Sequence, residues 1–203
     1  MKGVSFGVKA GEVFALLGVS GAGKSSTFNM ILGEENLSGG KCLLNGTDVQ
    51  DIFHKPEDLF GIVGYCPQTN PIENILSVKR TLTYIANLLG VKQQMLESVV
   101  RETMARFGLT EFANTPAGNL SGGNKRKLCC AMALLGNPKV MFVDEASAGV
   151  DPVSRRTMWK GMRFESINSA LILTTHTLEE AEALATKIGI MVSGHLKCFG
   201  SLQ

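Results

Sequence analysis

The chain of 203 residues predicts an α/β fold: a mostly parallel sheet, an inserted helical subdomain and a partial antiparallel β subdomain. Three observations carry this. Residues 13–17 and 140–143 are unbroken apolar runs, the pattern of strands buried on both faces. Such runs alternate with segments of helical period, which argues for a parallel sheet flanked by helices. Between residues 77 and 135 the period is helical, so a block of helices is inserted in the middle.

Taken in order, Val4, Phe6 and Val8 alternate with smaller or polar residues, as in a half-buried strand. Gly11-Glu12 is a turn into the 13–17 strand. Residues 18–23 form a glycine-rich loop, and 24–32 read as a helix. Residues 42–44 run into Asn45-Gly46, a tight-turn pair. Residues 62–66 are a strand ended by Pro67. In the helical block Leu82, Ile85, Ala86 and Leu89 share one face, and so do Leu96, Val99, Val100, Met104 and Phe107. Glu97 and Arg101 have the one-turn spacing of a weak ion pair. After the 140–143 strand, Asp151-Pro152 starts a helix with an N-cap and a proline at the first position. Residues 171–175 are a strand, and Thr177 with Glu180 has the spacing of a capping box. Residues 188–192 and 196–199 flank Ser193-Gly194 as a final hairpin. The organisation expected is one domain over 1–203, with a core of about 1–68 and 137–203 around a helical subdomain of about 69–136.

Hydrophobic residues make up 44% and charged residues 19%, a globular composition. A net charge of +2 is too small to point to nucleic acid, and none is expected as a partner. Cys42, Cys66, Cys129, Cys130 and Cys198 are odd in number and lack C-x-x-C spacing, which argues for reduced thiols over zinc or disulfides. No apolar run reaches the length of a bilayer span. Lys9 and Glu12 interrupt the N-terminal apolar residues, so they do not read as a signal peptide.

The chemistry lies in four short stretches. Gly18, Gly21 and Gly23 allow the loop Gly18-Val19-Ser20-Gly21-Ala22-Gly23 to turn successive N–H groups inward, ahead of a helix N-terminus. A nucleoside triphosphate fits that field. Lys24 would bridge its β- and γ-phosphates, and the hydroxyl of Ser25, followed by Ser26, would ligate Mg²⁺. This is the pattern of a P-loop NTPase. Asp144 emerges at the carboxyl end of an apolar strand, where sheet ligands bind, and suits the metal; Glu145 is placed as general base for water. His176 ends the 171–175 strand at the same edge and would contact the γ-phosphate. His54 and His195 have no such context.

Leu120-Ser121-Gly122-Gly123 resembles the signature of the ATP-binding cassette (ABC) family, and the resemblance extends over essentially the whole chain. It implies that Leu120, Ser121, Gly122, Gly123 and Asn124 serve the ATP of a second nucleotide-binding domain in a head-to-tail pair. It also implies that Gln68 approaches the metal and couples to transmembrane domains in the same or another chain, and that Asp151 lies in the pair's interface. The catalytic set is then Lys24, Gln68, Glu145 and His176, the metal set Ser25, Gln68 and Asp144, with ATP and Mg²⁺ as cofactors. The domain would sit on the cytoplasmic face of a membrane. Residues 17–23, 121–128 and 188–194 resemble the A subfamily of eukaryotic ABC transporters, which mostly move lipids or sterols. Asn124 followed by Lys125-Arg126-Lys127 is the particular marker; these three bases read as a solvated helix face near the partner's phosphates.

The chain departs from the family in four places. Only 17 residues precede Gly18, fewer than the usual adenine-stacking aromatic requires, and Phe6 is not offered for that role. A missing N-terminal strand is the simplest explanation, and a domain that binds adenine loosely is the alternative. Ala146 stands where proline is usual, Ser25-Ser26 replaces Ser-Thr or Thr-Thr, and no regulatory extension follows. Two rivals stay open: a soluble ABC ATPase acting on ribosomes or DNA, and a slow nucleotide-binding regulatory cassette.

Overall fold

A computed structural model describes residues 1–53 and 61–202, so His54 lies outside the described residues. Strand β1 (Val13–Leu17) runs inside a six-stranded sheet whose other members are β4 (Val63–Cys66), β5 (Val140–Asp144), β6 (Ala170–Thr175), β7 (Lys187–Val192) and β8 (His195–Ser201). Their order is β4-β5-β6-β1-β7-β8. Every neighbouring pair is parallel except β7 with β8, which form a hairpin. The predicted α/β class holds.

The apolar runs behave as their lack of alternation requires. Successive side chains of a strand point to opposite faces, so a run without polar residues must be covered twice. Ala15, Met141, Val143, Leu171 and Leu173 feed one core. It is covered by α3 (Val78–Leu88), α4 (Gln93–Arg106), α5 (Gly122–Leu134), α6 (Pro152–Glu165) and α7 (Leu178–Leu184). Phe14, Leu16, Phe142, Ala170 and Ile172 feed the second core on the other face, against α1 (Lys24–Ile31) and α2 (Val49–Phe53). Phe28 of α1 meets Phe142 edge-on, with ring centroids 5.3 Å apart. Each such fully buried side chain contributes about 1.5–3 kcal/mol of transfer free energy.

The helical block forms as its periodicity predicts. Leu82, Ala86, Leu96, Val100, Met104 and Phe107 are buried, and Ser77 caps α3 by accepting from Arg80 N. Helix α5 is held between β4 and α6. Asp151 caps α6 with Oδ1, which accepts from Val153 N at 3.1 Å and Ser154 N at 2.9 Å. The antiparallel piece is β2 (Leu43–Leu44) with β3 (Thr47–Asp48). Asn45 and Gly46 both have positive φ, 50° and 86°, the requirement of a type I′ hairpin turn. Ser193 and Gly194 do the same between β7 and β8.

Three local expectations fail. Val4, Phe6 and Val8 are half-buried against the second core, but their segment joins no strand ladder among the described residues. Alternation records one-sided burial, and a strand also needs a backbone partner. Phe6 packs on Phe14 at 4.8 Å, a core position. Thr177 stands at the N-cap of α7 without a side-chain cap bond. Its hydroxyl pairs with Thr175 Oγ1 at 3.1 Å, while Glu180 turns into the core and accepts from Trp159 Nε1 at 3.1 Å. A local partner for Thr177 and a tertiary one for Glu180 thus replace the capping box. Glu97 and Arg101 are both exposed and form no ion pair among the described residues.

Candidate functional site

Five parallel strands bring their carboxyl ends to one edge of the sheet, and four of them, β1, β4, β5 and β6, are followed by or end in the predicted site residues. The loop after β1 carries Gly18 to Gly23 and passes directly into α1. Gly21 and Gly23 adopt φ of 77° and 106°, which L side chains rarely reach, so the loop's path depends on them. Gly23 caps α1 by conformation alone, and no side chain satisfies the helix's first N–H groups. That leaves an anion-binding helix start. Ser20 is exposed and Ala22 buried, and Ser26 follows at a half-buried position in α1. Lys24 is buried to 5% exposure and folds back on the loop, donating to Gly18 O at 2.7 Å and Val19 O at 3.3 Å.

Lys24 Nζ also stands 3.3 Å from Glu145 Oε1, and Ser25 Oγ donates to Asp144 Oδ2 at 3.4 Å. Gln68, two residues past β4, donates from Nε2 to Glu145 Oε2 at 3.2 Å. His176, one residue past β6, places Nδ1 3.8 Å from the same oxygen. The structure therefore brings Lys24, Ser25, Gln68, Asp144, Glu145 and His176 into one cluster beside the glycine-rich loop. Glu145 has φ of 44°, left-handed for a side chain that disfavours it. Local strain of this kind needs surrounding bonds to hold it.

One holder escaped the sequence reading. Thr174 is buried to 1% exposure, directly beside Asp144 in the β5–β6 register. Its hydroxyl donates to Asp144 Oδ1 and accepts from Glu145 N at 3.1 Å, so one side chain fixes both acidic residues. The available signal was a threonine two positions before His176 at a strand end.

The 120–124 segment stays outside this cluster. Ser121 caps α5, accepting from Asn124 N at 3.3 Å, and Leu120 N bonds Ala117 O at 3.3 Å; these bonds are local. Gly123 lies so close to the start of α6 that a Cβ there would meet Asp151 Oδ2 at 2.8 Å. Asp151 is exposed, and N–H bonds from Ser154 first, then Ser154's hydroxyl, hold its carboxyl below the ordinary aspartate value. The two segments of predicted intermolecular function therefore adjoin each other.

The sequence profile of the ABC transporter family matches residues 1–148. The chain belongs to the ABC transporter family. It is 42% identical over 200 residues to human ATP-binding cassette sub-family A member 2, covering 97% of this chain and 8% of that protein. It is 41% identical over 198 residues to the human phospholipid-transporting ATPase ABCA7, covering 97% of this chain and 9% of that protein. The A-subfamily resemblance is thus borne out, and the chain spans less than a tenth of the length of these relatives. Among solved structures, an ATP-binding subunit of an ABC transporter superposes with a TM-score of 0.87 at 28% identity, over 98% of this chain and 82% of that one. A bacterial ABC transporter cassette superposes equally well at 19% identity, over 100% of this chain and 90% of that one, which supports the fold.

Against this ABC framework, one expectation about the marker sequence is overturned. Lys125-Arg126-Lys127 is not a solvated face: Arg126 and Lys127 are exposed to only 4% and 7%. Lys127 Nζ reaches Gly108 O at 3.2 Å, and burial lowers its pKa. Position on α5 explains this: Arg126 faces the segments that follow β4 and β5, and Lys127 faces the turn after α4. Tyr65, in β4 beside the cluster, has its phenol pushed up to about 12, first by burial and then by the Asp144 charge.

Proposed function

We propose that this chain binds and hydrolyses ATP as the nucleotide-binding domain of an ABC transporter, working as one half of a head-to-tail pair. The observation that carries the reading is the convergence of Lys24, Ser25, Gln68, Asp144, Glu145 and His176 beside a glycine loop and a helix start. Lys24 and the α1 N–H groups bind the phosphates, and Glu145 accepts the proton of the attacking water. Gln68 and His176 both approach Glu145 Oε2 and orient it, and His176 would contact the γ-phosphate.

Magnesium fits the residues present. Asp144 is a buried carboxylate whose protein partners are hydroxyls, those of Thr174 and Ser25. One carboxylate and a hydroxyl, with the amide oxygen of Gln68 and nucleotide phosphates, is the hard oxygen set that Mg²⁺ prefers. When bound it neutralises charge on the transferring phosphoryl group. Among the described residues no group of three or more His, Cys, Asp or Glu side chains would hold a metal, so a nucleotide-assisted site suits this chain.

No helix among the described residues is long and apolar enough to cross a membrane. The transmembrane part is assigned to other segments or chains. A phospholipid cargo is proposed from the 41% identity to a protein named as a phospholipid-transporting ATPase. ATP affinity and Mg²⁺-dependent phosphate release test the reading. Lys24→Ala should lose affinity, while Glu145→Gln should keep affinity and lose turnover. Equal turnover in all three proteins would sink the site.

A further inference from the structure

Arg126 is a charged side chain buried to 4% exposure in α5, five residues after the Ser121 cap. All of its acceptors lie in the two loops that bear the catalytic groups. Nη1 donates to Pro67 O at 2.5 Å, Thr69 O at 3.0 Å and Asn70 Oδ1 at 3.3 Å. Nη2 donates to Asp144 O at 3.0 Å, and Nε to Ala146 O at 2.8 Å. The carbonyls it takes therefore belong to the residues immediately before and after Gln68, and immediately before and after Glu145. Between those anchors Gln68 bonds Glu145 at 3.2 Å.

We propose that Arg126 is a positioning residue for ATP hydrolysis: it brackets Gln68 and Glu145 from both sides and ties their geometry to the helix that begins at Ser121. The proposal rests on the reading of Glu145 as general base. Three features of the geometry support it. A guanidinium offers five N–H donors in a rigid plane, so one side chain can fix two loops in mutual register; an ammonium is a point charge with three rotatable donors. Glu145 sits at φ 44°, and restraint of the carbonyls on each side is what holds a left-handed residue in place. The bonds also make α5 rigidly continuous with the base. A shift of the Ser121 end when the partner's nucleotide docks is therefore delivered to Glu145 and Gln68 together.

The test uses the full chain as wild type, Arg126→Lys, Arg126→Met, Glu145→Gln and the double variant Arg126→Met/Glu145→Gln. Steady-state hydrolysis, normalised to bound nucleotide, is measured with affinity for the β,γ-imido analogue of ATP. Arg126→Lys should lower kcat about a hundredfold, the scale of a small misplacement of a reacting group, with KM and analogue affinity little changed. Arg126→Met should be at least as slow, and the double variant no slower than Glu145→Gln alone, because Arg126 acts through that carboxylate. Wild-type kcat in Arg126→Lys, a loss confined to affinity, or multiplied losses in the double variant would each overturn the proposal. Wild-type turnover in Glu145→Gln would instead overturn the base assignment beneath it, a result distinguishable from all the others.

Discussion

At the scale of the residue, Thr174 and Arg126 hold what the sequence motifs display. Thr174 gives its hydroxyl to Asp144 and takes the N–H of Glu145. Thr174→Val removes both bonds; Glu145 N keeps the Thr174 carbonyl at 3.2 Å, but the buried Asp144 Oδ1 loses its donor, at about 1–3 kcal/mol. Expressed in the transition state, that is a fall in kcat of about five- to 150-fold, with Thr174→Ser restoring the rate; wild-type kcat in Thr174→Val would refute the role. The glycine loop, Asp144-Glu145 and His176 were legible because each pairs a residue type with a strand end. Thr174 was hidden because threonine in a strand needs no special explanation. Arg126 was hidden because a run of three basic residues reads as exposed until residues 67–70 and 144–146 are folded against it.

At the scale of the element, β4 and α5 meet at Gly64. A Cβ on Gly64 would lie 2.0 Å from Ala133 O, a backbone atom that cannot swing aside. Gly64→Ala should cost about 1–3 kcal/mol or more through overpacking, read as a lower urea midpoint. An unchanged midpoint would show that the helix and strand separate easily. Helices α4 and α6 are joined by Arg106 and Glu165, with the guanidinium also 4.0 Å over the Phe164 ring. Burial raises the Glu165 carboxyl above its ordinary value, and Arg106 only partly offsets this. The folded state then keeps the proton to higher pH than the unfolded chain. This contribution is fullest below the ordinary glutamate pKa and is lost as pH rises through the raised one. Midpoints of wild type and Glu165→Gln between about pH 4 and 7 isolate the group, and parallel curves would contradict it. Strands, both hairpins and the Asp151 cap were legible because they are local. The Thr177–Glu180 box was not, since Trp159 claims Glu180 from 21 positions away.

At the scale of the whole molecule, the 120–124 segment and the cluster around Glu145 share no hydrogen bond among the described residues. The 120–124 bonds are local, and Gly123 adjoins Asp151. Val19 in the phosphate loop and Val153 at the start of α6 are exposed to 72% and 76%. The parallel sheet was legible as a class, because two-sided apolar runs admit few other arrangements. Pairing was legible only through family resemblance, since one sequence does not encode which surface its partner covers. On the proposed function, ATP draws two domains together around this site. Sedimentation velocity of Glu145→Gln with and without Mg²⁺-ATP tests it directly. The expected result is a nucleotide-dependent dimer that persists because turnover is blocked. A variant that stays monomeric at saturating ATP, and hydrolyses at the wild-type rate, would contradict it.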